Sequence, residues 1–264
     1  MRKWIITIMS ATLAIVTISS CSKDDDDNTN SNAGEATVSF RLTDGPADYD
    51  AVYLDIQSVE LTMSGSEPVV LTPVRPGLYD VLKFRNGTDT LLMMAEIPTG
   101  TVQQMRLKLG PNSTIVVDGQ SYPLSTPSGQ QSGIKLNLNQ EFVAGNAYDV
   151  WIDFDAAKSI LQTGNGQYKL KPVIRAYSSL TDGRIKGYVE PLHSLTTVYA
   201  VSGIDTFAAI PDPINGYFRI SGLPQATYDV WFDTDAPTLQ DQMIPNVQVV
   251  YGTETNLGTI TLLP

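Results

Sequence analysis

The chain has 264 residues, with 17 basic against 28 acidic side chains and a formal charge of −11. Such an acidic surface repels phosphate backbones and excludes nucleic acid as a partner. One cysteine and one histidine leave no material for a disulfide framework, a zinc site or a histidine-rich metal centre.

Met1-Arg2-Lys3 give a basic start, and Trp4 to Ile18 form a mainly apolar stretch that is short for a bilayer span. Ser19-Ser20 then precede Cys21, the lone thiol. This layout predicts a secretory leader over residues 1–20. Ile18-Ser19-Ser20-Cys21 resembles a bacterial lipobox, which implies that Cys21 is acylated before the leader is cut. The tract that follows, Ser22, Lys23, Asp24, Asp25, Asp26 and Asp27, resembles the acidic export signal of Bacteroidota surface lipoproteins. Removing residues 1–20 takes Arg2 and Lys3 but no acid, leaving 15 basic and 28 acidic side chains, a formal −13. That charge gives no help in holding anionic lipid, so attachment to the outer membrane rests on acyl chains, each buried methylene contributing about 0.8 kcal/mol.

Residues 21–34 read as a lipidated, disordered tether. From Ala36 the pattern becomes strictly alternating. Ala36, Val38, Phe40 and Leu42 alternate with Thr37, Ser39, Arg41 and Thr43, the signature of a half-buried strand. In Asp50 to Met63 the apolar parity switches, which predicts a bulge near Gln57-Ser58. Asp118-Gly119 between two short β runs predicts a tight hairpin. Asp155 before Ala156-Ala157-Lys158-Ser159-Ile160-Leu161 is an N-cap for the best helical candidate. The fold class is therefore all-β: two tandem β-sandwich domains (Ig-like or prealbumin-like) with at most one or two short helices. The boundaries are 35–180 and 181–264.

Leu42-Thr43-Asp44-Gly45-Pro46, Ile56-Gln57-Ser58-Val59-Glu60, Asp153-Phe154-Asp155-Ala156-Ala157-Lys158 and Gly166-Gln167-Tyr168-Lys169-Leu170-Lys171-Pro172 resemble the domain-of-unknown-function 4382 family of bacterial envelope proteins. That resemblance covers 35–178 and implies no activity. Gly183 to Val189, Asn215 to Pro224 and Thr227 to Val230 are similar to carboxypeptidase regulatory-like, prealbumin-type sandwiches, which implies a spacer or adhesive role. Their usual Pro-x-Gly is Pro224-Gln225-Ala226 here. Ala226 reaches positive φ only at a cost, so an altered turn is expected.

A serine hydrolase needs a histidine or lysine base beside its nucleophile; the single histidine, His193, follows Pro191 in a loop, and no glycine-rich phosphate cradle is present. Asp153 and Asp155 are same-face residues about 7 Å apart by the strand rise, between the separations that glycosidases favour. Asp155 is also needed as a helix cap. The expectation is a non-enzyme with no catalytic residue, no metal and no cofactor. An acid-residue hydrolase is the least favoured reading.

A pattern occurs twice: Tyr148-Asp149-Val150-Trp151-Ile152-Asp153 and Tyr228-Asp229-Val230-Trp231-Phe232-Asp233. Tyr148, Val150, Ile152, Tyr228, Val230 and Phe232 fall on core faces. Trp151 then shares the outer face with Asp149 and Asp153, and Trp231 shares it with Asp229 and Asp233. Two readings follow. The first is a non-catalytic cell-surface lipoprotein used for adhesion or assembly, with another surface protein as partner. The second is a carbohydrate-binding lipoprotein of a glycan-uptake system, with Trp151 or Trp231 as the platform. Packing of either indole against a helix, a loop or a domain interface is the structural alternative.

Overall fold

In a computed structural model the structure describes residues 34–65, 67–126 and 132–264. Cys21 and the tract Ser22 to Asp27 lie outside them. The described chain is all-β and sandwich-like, with two hydrophobic cores. Both belong to one compact unit, Ala33–Pro264.

The first core takes residues from Ala36 to Leu170. Strand β1 (Glu35–Asp44) lies between β5 (Thr90–Pro98) and β10 (Ala147–Phe154), and β13 (Ile174–Ser178) completes that sheet. The β1–β10 pairing is parallel, with Phe40 opposite Val150 and Leu42 opposite Ile152. The facing sheet is built on β2 (Ala51–Met63), β6 (Gly100–Leu109) and β9 (Ile134–Phe142). It extends through β7 (Thr114–Val117), β8 (Gln120–Ser125), β12 (Tyr168–Leu170) and β11 (Ile160–Gln162). Two short strands, β3 (Val69–Leu71) and β4 (Gly77–Asp80), pair with β2.

Ala36, Val38, Phe40 and Leu42 are fully buried, as the alternation requires. The register of β2 against β6 shifts between Ile56 and Ser58, which lets Ile56 and Val59 both face the core. β7 and β8 meet through Asp118-Gly119, and Asp118 has φ 51° and Gly119 71°, as a two-residue hairpin loop demands. Helix α1 covers only Ala156–Ser159, with the Asp155 carboxylate accepting from the Lys158 N–H at 3.0 Å. It is shorter than the sequence suggests because Ile160 to Gln162 leave to pair with β12.

The second core takes residues from Ile185 to Leu262. One sheet has β14 (Gly183–Glu190) between β17 (Tyr217–Leu223) and β20 (Glu254–Thr261). The other runs β16 (Asp205–Ala209), β15 (Thr196–Ser202), β18 (Ala226–Thr234), β19 (Gln242–Val249). Ala226 simply opens β18 without a positive φ, and Gly222 takes the left-handed conformation instead, at φ 66°.

Candidate functional site

Tyr148, Val150, Ile152 and Phe154 point into the first core, which turns Trp151 and Asp153 to the outer face of their sheet. Strand β13 of the same sheet packs against β17 of the second sandwich. Arg175, opposite Asp153 on β13, donates from Nε to the Asp153 carboxylate at 2.6 Å. It also donates from Nη1 to the Gly222 carbonyl and from Nη2 to the Ser221 carbonyl, each at 2.9 Å. Its guanidinium lies 4.5 Å from the Phe207 ring centroid, a cation–π contact. Asp153 is 7% exposed, so the Arg175 cation at its Oδ2 compensates a buried charge.

Trp151 stacks on Tyr177, centroids 5.6 Å apart and planes within 14°, and its Nε1–H donates to Asp89 at 2.8 Å. Arg41 bridges Asp89 and Asp149 at 2.9 and 3.0 Å. For Trp151, Asp149 and Asp153 the structure shows the packed arrangement that the sequence left open as an alternative to a ligand platform. One indole face is covered by Tyr177, its N–H is bonded to Asp89, and Asp153 is locked into the junction between sandwiches. The sequence gives no sign of Asp89 as the indole's partner, because it lies 62 residues upstream.

Trp231 is placed differently. It is 43% exposed on the outer face of its sheet, with Tyr199 and Met243 as cross-strand neighbours. Asp229 and Asp233 flank it at the next same-face positions of β18, and Asp229 accepts from the Asn246 N–H at 3.1 Å. His193 is an exposed loop residue at φ 60°.

A cleft of about 520 Å³ opens beside the Arg175 junction. One wall is the turn Gly45 to Asp48 together with Asp153, Asp155 and Lys158; the other is the β15–β16 hairpin. Two segments far apart in sequence, Leu42 to Pro46 and Asp153 to Lys158, meet because β1 and β10 are parallel neighbours ending together at Asp44 and Phe154. Lys158 closes one end, pairing with Asp155 at 2.9 Å and donating to the Thr206 carbonyl at 3.0 Å. Asp48, Tyr199 and Asp205 line this cleft, and sequence reasoning did not single them out, since no periodicity marks them.

Asp44 sits where β1 ends and is 6% exposed. Its Oδ1 accepts from the Ala156 N–H at 3.2 Å, while Oδ2 has no partner. Burial, and then the nearby Asp153 charge, push its pKa well above the usual carboxylate value. The folded state therefore keeps a proton that the unfolded state has released. The stabilising contribution is present below the unfolded value of 3.8 and is lost as pH rises from there through the folded value. Asp44→Asn keeps the acceptor without the titration. It is expected to unfold at higher denaturant than wild type at about pH 8, with the gap closing toward about pH 4. A gap that is unchanged across that range contradicts the assignment.

Among the described residues no group of three or more His, Cys, Asp or Glu side chains is disposed to hold a metal ion. Asp155 serves as cap and Asp153 as junction anion. No curated protein matches the chain. Among solved structures, "The Bacillus anthracis TIE protein" aligns at 7% identity over 87% of this chain and 34% of that one, with a TM-score of 0.21. The match spans about a third of the length of that protein, and a likeness so slight carries no argument. Residues 35–172, more than half of the sequence, match the family described as "Domain of unknown function (DUF4382)". By that match, carried by the strands and turns that form the first core, the chain belongs to the DUF4382 family.

Proposed function

We infer that this is a non-catalytic lipoprotein of the bacterial cell surface, serving adhesion or structural assembly. The reading rests on one observation above others: the polar side chains best suited to chemistry are engaged in structure. Arg175 and Asp153 join the two sandwiches, Asp155 caps a helix, and Asp89 is shared by Trp151 and Arg41. The leader-like residues 1–20, the lone Cys21 and the acidic tract to Asp27 support an acylated anchor in a Bacteroidota outer membrane, facing outward. Residues 183–264 support a carboxypeptidase regulatory-like module as the second sandwich, by the motifs around Gly187, Asn215 and Thr227.

Fractionation tests this reading. Cys21→Ala is expected to move the protein out of the membrane fraction, and replacing Asp24 to Asp27 by Asn to leave it membrane-bound but sheltered from external protease. Full membrane retention of Cys21→Ala defeats the anchor.

One observation favours the second reading, binding of carbohydrate in glycan uptake. Tyr199, Trp231 and Met243 form a row across three adjacent strands, with Asp229 and Asp233 on either side of the indole. A flat ring with neighbouring carboxylates suits a sugar's apolar face and its hydroxyls.

A further inference from the structure

The cleft beside Arg175 does not end at the β15–β16 hairpin. A second cavity, of about 420 Å³, lies between the Pro191–Leu195 loop, the Ile210–Pro213 loop and Arg85 of the first sandwich. The two cavities share Asp48, Thr197 and Ile210, so they form one elongated groove along the junction. Two hydrogen bonds link the first sandwich to the second beside the groove. Asn86 Nδ2 donates to the Ile210 carbonyl at 2.9 Å midway, and Lys158 reaches the Thr206 carbonyl at one end.

Its chemistry is uneven in an informative way. The lining combines aliphatic and proline residues, Pro46, Ile210, Pro211 and Leu195, with the rings of Tyr199 and Phe207. It lacks the flat exposed indole that Trp231 offers elsewhere. Carboxylates stand along it at intervals: Asp205 near one end, Asp48 at the middle, Asp235 toward the other. All three are exposed, and among the described residues none is ion-paired. Lys158 and Arg175 are committed to Asp155 and Asp153, which leaves Arg85 as the one other Lys or Arg lining the groove. A ligand that fits must be long, must bury aliphatic surface, and must carry several positive charges.

We propose that this groove binds an extended, lysine- or arginine-bearing polypeptide segment of another surface protein. Long basic side chains match both demands, since their methylene stems lie on apolar lining while the heads reach carboxylates. The excess of acid over the whole chain steers such a partner toward the groove. An extended segment of six residues spans about 20 Å, the scale of two adjoining cavities. This proposal rests on the adhesive reading and names the partner class for it.

The test uses the full chain in detergent and three labelled probes: a hexapeptide alternating lysine and valine, one alternating glutamate and valine, and a neutral hexasaccharide. The basic peptide is expected to bind, more weakly as salt rises, and the acidic one not to bind. The Asp48→Asn/Asp205→Asn double variant changes only exposed side chains and is expected to lose about tenfold in affinity, the combined loss of two exposed charge contacts. Ala208→Trp fills the groove without touching its charges and is expected to abolish binding, with circular dichroism reporting the fold. The proposal is overturned if no probe binds, if the double variant binds as tightly as wild type, or if the hexasaccharide alone binds. Failure of the Cys21→Ala fractionation with peptide binding intact removes the address and leaves the groove; the reverse outcome does the opposite.

Discussion

Replacing Arg175 by alanine is expected to destabilise the protein by about 3 kcal/mol and to let its two cores unfold separately. The side chain is one-third exposed, but its partner Asp153 is buried, so the cost lies between that of a surface pair, about 0–1 kcal/mol, and that of stranding a buried charge, about 3–5 kcal/mol. The variant loses four contacts together: the carboxylate pair, two carbonyl acceptors and the Phe207 ring. Three of these cross between the sandwiches, so their loss falls mainly on coupling. Urea unfolding followed by tryptophan emission reads this directly. Trp151 reports from the junction and Trp231 from the second sandwich. Wild type is expected to show one transition and Arg175→Ala two. Arg175→Lys keeps the charge without the planar fork, and restores only part of the loss. A single transition at the wild-type midpoint in the alanine variant refutes the latch.

Gly222→Ala is expected to cost about 3–4 kcal/mol, by a different route. Gly222 has φ 66°, and a left-handed non-glycine residue costs about 1–2 kcal/mol. A β-carbon at this position would also overlap the ring of Tyr177, and forced overpacking costs about 1–3 kcal/mol. Relief by backbone movement is blocked, since the Gly222 N–H donates to Asp182 at 2.6 Å and its carbonyl accepts from Arg175. Tyr177 is itself buried and stacked on Trp151, so its displacement should shift the Trp151 emission. Gly258→Ala is the control. Gly258 has φ 70° but open space around its Cα, and should lose only the backbone share, about 1–2 kcal/mol. Equal losses in the two variants, by equilibrium denaturation, contradict the close approach at Tyr177.

Local grammar in the chain reveals much of this architecture. The alternation in Ala36 to Leu42, the parity switch before Val59, the Asp118-Gly119 loop and the Asp155 cap each depend on neighbours within a few residues, and each appears in the fold where those neighbours put it. The inward faces of Tyr148 to Phe154 and Tyr228 to Phe232 follow from period two alone. What an outward side chain meets is another matter. Trp151 and Trp231 occupy equivalent places in a repeated pattern, yet one lies stacked at a junction and the other faces water. The difference comes from Asp89, Tyr177 and the β17 strand, which arrive from distant parts of the chain. For the same reason the groove is invisible in the sequence: one wall is a turn and a helix start that the parallel β1–β10 pairing brings together, and the other is a hairpin of the second sandwich.

That parallel pairing also sets the order in which the molecule can be made. β1 is the first strand to emerge, but its neighbour β10 is synthesised more than a hundred residues later, and contacts so distant in sequence form slowly. The first sheet cannot be completed until β13 has followed, at Ser178, so the nascent chain spends most of its synthesis without a finished first core.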